Sequence, residues 1–199
     1  MSDELAAPDF VTHYFRRSRR PFLNLSELTG DDAIEVMATL IEERRIGLQH
    51  RPFGRTYIAM RRAVEARLLS AFIESGGNPE RSSPHYFVLG ESAWFRGLAV
   101  DMEEIRLSLA TLPSAQTTVT WGDSFSAMEV GPDFVLPAIS RPYFGQLYRL
   151  EDIPDLVTQY GLPRPEPLDY HGLPTGDVSD LFVEVQLWSD LPICDLLST

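Results

Sequence analysis

Apolar side chains recur along this chain in two rhythms, helical in the first third and extended afterwards. Ile34, Met37, Leu40, Ile41 and Leu48 fall at helical spacing behind Thr29-Gly30-Asp31-Asp32, a start with a capping hydroxyl and carboxylates in the first turn. Pro52 closes that element. A second helix is predicted over 56–75, with Tyr57, Val64, Leu68 and Phe72 on one stripe that Met60, Leu69 and Ile73 widen. Arg61 and Glu65 are spaced for a pair along the helix surface. Gly76-Gly77 ends it, since glycine takes the left-handed conformation of a helix C-cap without penalty.

From residue 81 the texture changes. His85-Tyr86-Phe87-Val88-Leu89, between Pro84 and Gly90, reads as a buried strand. Ile105, Leu107 and Leu109 alternate, and Thr117-Thr118-Val119-Thr120-Trp121 is β-branched and aromatic, so both segments read as strands. Gln146 to Leu150 is read as a further strand and 151–160 as a short helix with Gly161 past its end. A Pro/Gly loop occupies 162–176, and the last strand is placed over 181–188. Residues 1–30 read as irregular, with Phe10, Tyr14, Phe15, Phe22, Leu23 and Leu25 available to pack on the body. The expectation is one α+β domain over 1–199. Its N-terminal helical part (1–80) would carry two long amphipathic helices, packed on a mixed or antiparallel sheet from the strand-rich part (81–199).

Composition narrows the chemistry. There is no lysine, so all 17 basic side chains are arginines. A pyridoxal-phosphate Schiff base, a lysine-type aldolase and a P-loop for nucleotide phosphates are therefore excluded. The lone Cys194 forms no internal disulfide. His13, His50, His85 and His171 are scattered without metal-ligand spacing, so no metal site is expected. Residues 1–100 hold 13 arginines and 13 acids, whereas 101–199 hold 4 arginines and 16 acids and carry the whole net charge of −12. Such a surface repels phosphate backbones, so nucleic acid is not an expected partner. Arg16, Arg17, Arg19 and Arg20 make a local basic strip, read either as a solvated edge or a strip pairing with the chain's own acidic half, or as a phosphate- or partner-binding strip. No targeting segment or apolar span of membrane length is visible, and a cytoplasmic location is expected by elimination.

Alternation along 181–188 places Leu181, Val183, Val185 and Leu187 on one face and Phe182, Glu184, Gln186 and Trp188 on the other. A glutamate between aromatic and amide neighbours either lies on an exposed face or lines a pocket, where desolvation suits it to act on a hydroxyl. The candidate centre is thus Glu184 with His85 as catalytic pair. Tyr86, Trp121, Gln186 and Trp188 would line the ligand site, with Arg81 or Arg96 as an anion contact.

Two short resemblances add to this. Gly122-Asp123-Ser124-Phe125 after a strand resembles the first block of the SGNH (GDSL-type) hydrolases. That family needs a later asparagine and a histidine three residues after an aspartate, and both are missing here, so the block reads as a tight turn. Pro84-His85-Tyr86-Phe87, Trp121-Gly122-Asp123 and Phe182-Val183-Glu184-Val185 resemble, in order, three strand motifs of ADP-ribosyltransferases of the DNA-modifying toxin type. The resemblance implies NAD as cofactor and Glu184 orienting the nicotinamide ribose and the acceptor, with Thr12-His13 available for the family's N-terminal histidine. The acidic C-terminal half argues against DNA as that acceptor. The leading expectation is a domain binding a small, nucleotide-like ligand. The alternative is a non-enzymatic interaction protein or homo-oligomer, in which the arginine-rich and acidic halves dock within or between chains.

Overall fold

A computed structural model describes residues 6–128, 141–163 and 181–197. In chain order its elements are β1 (Phe10–Arg16), α1 (Gly30–Arg45), α2 (Tyr57–Glu74), β2 (His85–Leu89), α3 (Ala93–Arg96), β3 (Met102–Ser108), β4 (Thr117–Thr120), α4 (Ser124–Ala127), α5 (Ile153–Tyr160), β5 (Glu184–Leu187) and α6 (Cys194–Leu197). The five strands form one antiparallel sheet in the order β3-β1-β2-β5-β4, so the chain is α+β.

The sheet is covered on both sides. Val64, Leu68 and Phe72 of α2 pack with Phe125, Met128 and Trp188 over one face. Ile153, Leu156 and Val157 of α5 pack with Val119, Trp121, Val185 and Leu187 over the other. This double burial explains why β5 is inaccessible along its whole length although half its side chains are polar. β1 stands where sequence reasoning expected irregular chain, and only Val11 and Thr12 of it are buried. β1 lies between β2 and β3, and no polar–apolar alternation marks it as a strand. The N-terminal segment is thus an inner strand of the sheet, and the sheet does not come from the C-terminal half alone.

Gln146 to Leu150 is not a strand. Tyr148 makes one isolated bridge to Val119, and a 3₁₀ turn starts at Leu150. The helix predicted over 151–160 is present as that turn followed by α5, closed by Gly161 at φ 73°. The predicted loop over 162–176 lies, from residue 164, outside the described residues, as does His171. Most of the basic strip is neutralised at home. Arg16 bridges Glu43 and Asp101 at 2.6 Å each, Arg17 meets Glu103 and Arg19 meets Glu43. No described helix is long and apolar enough to cross a membrane.

Candidate functional site

The site originates where the sheet splits. β1 and β2 pair only at Val11–Leu89 and Thr12–Val88; β1 pairs with β3 along its whole length, while β2 runs on beside β5. A cavity of about 490 Å³ is lined by both diverging strands, by α2 and by the segments 22–25 and 51–57. His13 spans the split. Its Nε2 accepts the Phe22 N–H at 3.0 Å, which leaves Nδ1–H to donate to Tyr86 O at 2.9 Å. Burial holds this imidazole neutral, pushing its pKa down to about 4 against the Tyr86 hydrogen bond. Phe22 stacks on the ring at 4.2 Å with φ 60°, a conformation a bulky side chain adopts only under constraint.

Glu184 enters the cavity from β5, opposite Val88 on β2 and Thr120 on β4, and is 4 % exposed. A buried polar ladder positions it. Trp188 Nε1 donates to Thr118 Oγ1, Thr118 Oγ1 donates to Gln186 Oε1, and Gln186 Nε2 donates to Thr120 Oγ1 and, at 3.1 Å, to Glu184 Oε1. Glu184 Oε2 carries no hydrogen bond among the described residues, which leaves an acceptor oxygen for a ligand.

Two further carboxylates and one guanidinium surround it. Arg61 is buried, its guanidinium 4.5 Å from the Tyr86 ring centre and 4.3 Å from that of Phe125, with Nη1 donating to Ser124 Oγ at 3.0 Å. Glu65 accepts from the Tyr86 hydroxyl at 2.9 Å and from Asn24 Nδ2 at 3.3 Å. Burial pushes the Tyr86 hydroxyl well above the usual phenol range, opposed by Arg61 and reinforced by Glu65 and Glu184. Asp123 is 6 % exposed; burial and the Glu184 charge raise its carboxyl to about 6, with Arg61 and Arg51 pulling the other way. Arg51 lies over the Phe53 and Tyr57 rings. Phe182 stacks on Trp94 and meets Phe95 edge-on, making an aromatic wall. The arrangement can take a planar ring against aromatic surface and a hydroxyl against Glu184.

Of the sequence candidates, Glu184, Tyr86 and His85 line this cavity. His85, however, does not pair with Glu184. It stands opposite Leu187, three positions along the register, so the two side chains project from opposite faces of the sheet. Its Nε2 is held by Asp190 Oδ1 at 2.7 Å, and its ring packs edge-on against Phe22. Burial lowers the His85 pKa, against the Asp190 hydrogen bond. Trp121 is on the α5 side, packed on Tyr160, because it too is out of phase with Glu184. Trp188 is core beneath Phe72, and Gln186 serves the ladder; neither lines the cavity. Arg81 is consumed by Asp190, Glu27 and the Ser83 carbonyl, and Arg96 by Glu91 and Glu104, both outside the cavity. Ser124, in the hydrolase-like block, is inaccessible, and its Oγ accepts from Arg61 Nη1. Among the described residues no cluster of histidine, cysteine and carboxylate side chains could hold a metal.

Sequence reasoning assigned none of Arg61, Glu65, Asp123 and Arg51 to the site, although Asp123 stands in both motif resemblances. A signal existed for the first two. Arg61 and Glu65 recur in phase with Val64, Leu68 and Phe72, so a helix that buries the apolar stripe buries them as well. They form no ion pair with one another; each turns to a partner outside the helix. Arg51 and Asp123 sit beside turns, and no periodicity points to them. No protein-family model matches this chain, and neither a curated protein nor a solved structure matches it.

Proposed function

We propose that the cleft between β1 and β2 binds a small nucleotide-like ligand, NAD in the first instance, and that the chain transfers its ADP-ribosyl group. The observation that carries this reading is Glu184: it is buried on a cavity of about 490 Å³, with one oxygen fixed by Gln186 and the other without a hydrogen bond among the described residues. A ribose hydroxyl supplies the donor such an oxygen lacks, and the rings of Tyr57, Phe125, Trp94 and Phe182 offer surface to a planar base. The three-motif resemblance to ADP-ribosyltransferases points to the same glutamate, and the cavity volume falls in the range of small-ligand sites. The test is a thermal-shift titration with NAD together with nicotinamide release. NAD at about one hundred times its Kd should stabilise the protein by about 3 kcal/mol. Glu184→Gln should keep the fold and lose turnover; full activity in that variant removes Glu184 from the site.

A second reading, self-association, is favoured by α1. Of its 16 residues only Leu40 is buried, while Ile34 and Ile41, two turns apart on one side, are 70 % and 47 % exposed. A second copy of the chain would cover them. Light scattering that returns a monomer at every concentration and salt defeats this reading.

A further inference from the structure

Asp123 is a second carboxylate lining the cavity with Glu184, and the reading above gives it no role. It lies three residues beyond Thr120, the β4 partner of Glu184. Gly122, at φ 91°, reverses the chain between them, so Asp123 starts α4 and lines the cavity that Glu184 lines from β5. The charged groups around it are Arg61 from α2, Arg51 from the segment before α2, and Glu184 itself. Its carboxylate accepts the Ser126 backbone N–H, which with Arg61 and Arg51 favours the charged form, and among the described residues it forms no ion pair. Glu184 differs in that Gln186 holds one of its oxygens in place. Glu184 is held by a side-chain amide, whereas Asp123 is bonded by one backbone N–H and keeps the lone pairs to accept a proton.

Resting on the NAD reading above, we propose that Asp123 is the general base of the transfer, while Glu184 orients the ribose. An O–H of the acceptor, or of water, attacks the anomeric carbon of the nicotinamide ribose. The new C–O bond forms as the glycosidic C–N bond breaks, and the electron pair of that bond passes to the ring nitrogen, releasing neutral nicotinamide. The proton of the attacking O–H passes to Asp123, which later returns it to solvent. The product is an O-ADP-ribosylated acceptor, or ADP-ribose when water attacks. Burial and the Glu184 charge, against Arg61 and Arg51, place the Asp123 carboxyl at about 6. There it is ionised at neutral pH and still basic enough to accept a proton.

Two measurements test this. In the first, nicotinamide release from NAD is followed from about pH 5 to 8. The unmodified protein should rise through about pH 6 and level off. Asp123→Asn should be flat across that range and slower by about 100- to 10,000-fold at the plateau, with its NAD-induced rise in Tm intact. A variant that keeps the inflection, or loses less than about tenfold, overturns the assignment. In the second, the Asp123 carboxyl is titrated by ¹³C NMR without ligand. It should titrate near 6 and move down in Glu184→Gln; titration in the ordinary carboxylate range in both proteins overturns the pairing. NAD failing to raise Tm at all defeats the ligand reading and the transfer with it. Titration of Asp123 in the ordinary carboxylate range, in a protein whose Tm NAD still raises, defeats only the role of Asp123.

Discussion

Replacing Asp123 by asparagine should make this protein more stable at neutral pH. Asp123 is 6 % exposed, and its carboxyl is moved from 3.8 to about 6, first by burial and then by the Glu184 charge, with Arg61 and Arg51 offsetting part of the rise. A displacement of that size disfavours the ionised form in the folded protein by about 3 kcal/mol. Because the folded value is the higher one, the native state binds more protons than the unfolded chain between 3.8 and about 6. The favourable protonated state is fully present below 3.8, and its contribution is lost as pH rises through about 6. Asparagine cannot ionise, so the variant escapes this loss. Urea denaturation at pH 7.5 should show Asp123→Asn more stable by up to about 3 kcal/mol with an unchanged m-value, and the difference should shrink toward zero at about pH 4. His13, whose pKa is pushed down, contributes pH dependence of the opposite sign, but the difference between the two proteins cancels it. A variant that is less stable at pH 7.5 than the parent, by a margin that closes at pH 4, refutes the reasoning. It would mean that Arg61 and Arg51 more than compensate the buried carboxylate. A gain in stability joined to a loss of turnover would mark a residue kept for function at a cost to the fold.

Gln186→Leu should destabilise by about 2–3 kcal/mol, because it removes the amide partner of the buried Thr118 and Thr120 hydroxyls and of Glu184 Oε1; chemical denaturation measures the loss, and a change below about 0.5 kcal/mol denies the ladder its role. Gly77→Ala should cost about 1–3 kcal/mol, since a Cβ there would overlap the Phe72 ring under Trp188, whereas Gly54→Ala meets open space and should be nearly neutral; equal Tm values for the two variants would contradict this packing.

The second helix and four of the five strands are legible along the chain because each leaves a local trace. Val64, Leu68 and Phe72 repeat at helical spacing, Gly76 at φ 85° stops the helix, and Thr117 to Thr120 are β-branched residues between turns. β1 leaves no such trace, because its aromatic and polar residues fall on both faces without alternation, and its role depends on pairing with residues more than seventy positions away. The same division runs through the candidate site. Period-two spacing already groups Glu184 with Gln186 and Trp188 on one side of β5. Which partners share that side is a matter of register. Glu184 faces Val88 and Thr120, so Tyr86 joins it while His85 and Trp121 go to the far side. Composition left arginine as the only long cation available, yet it did not say which arginines stay near the cavity. Arg81 and Arg96 are taken by Asp190, Glu91 and Glu104, and Arg61 and Arg51 remain, because ion pairing depends on distances that folding creates. Local order follows from residue periodicity. The cavity and the charge state of Asp123 arise from desolvation, which exists only once the sheet has closed over them.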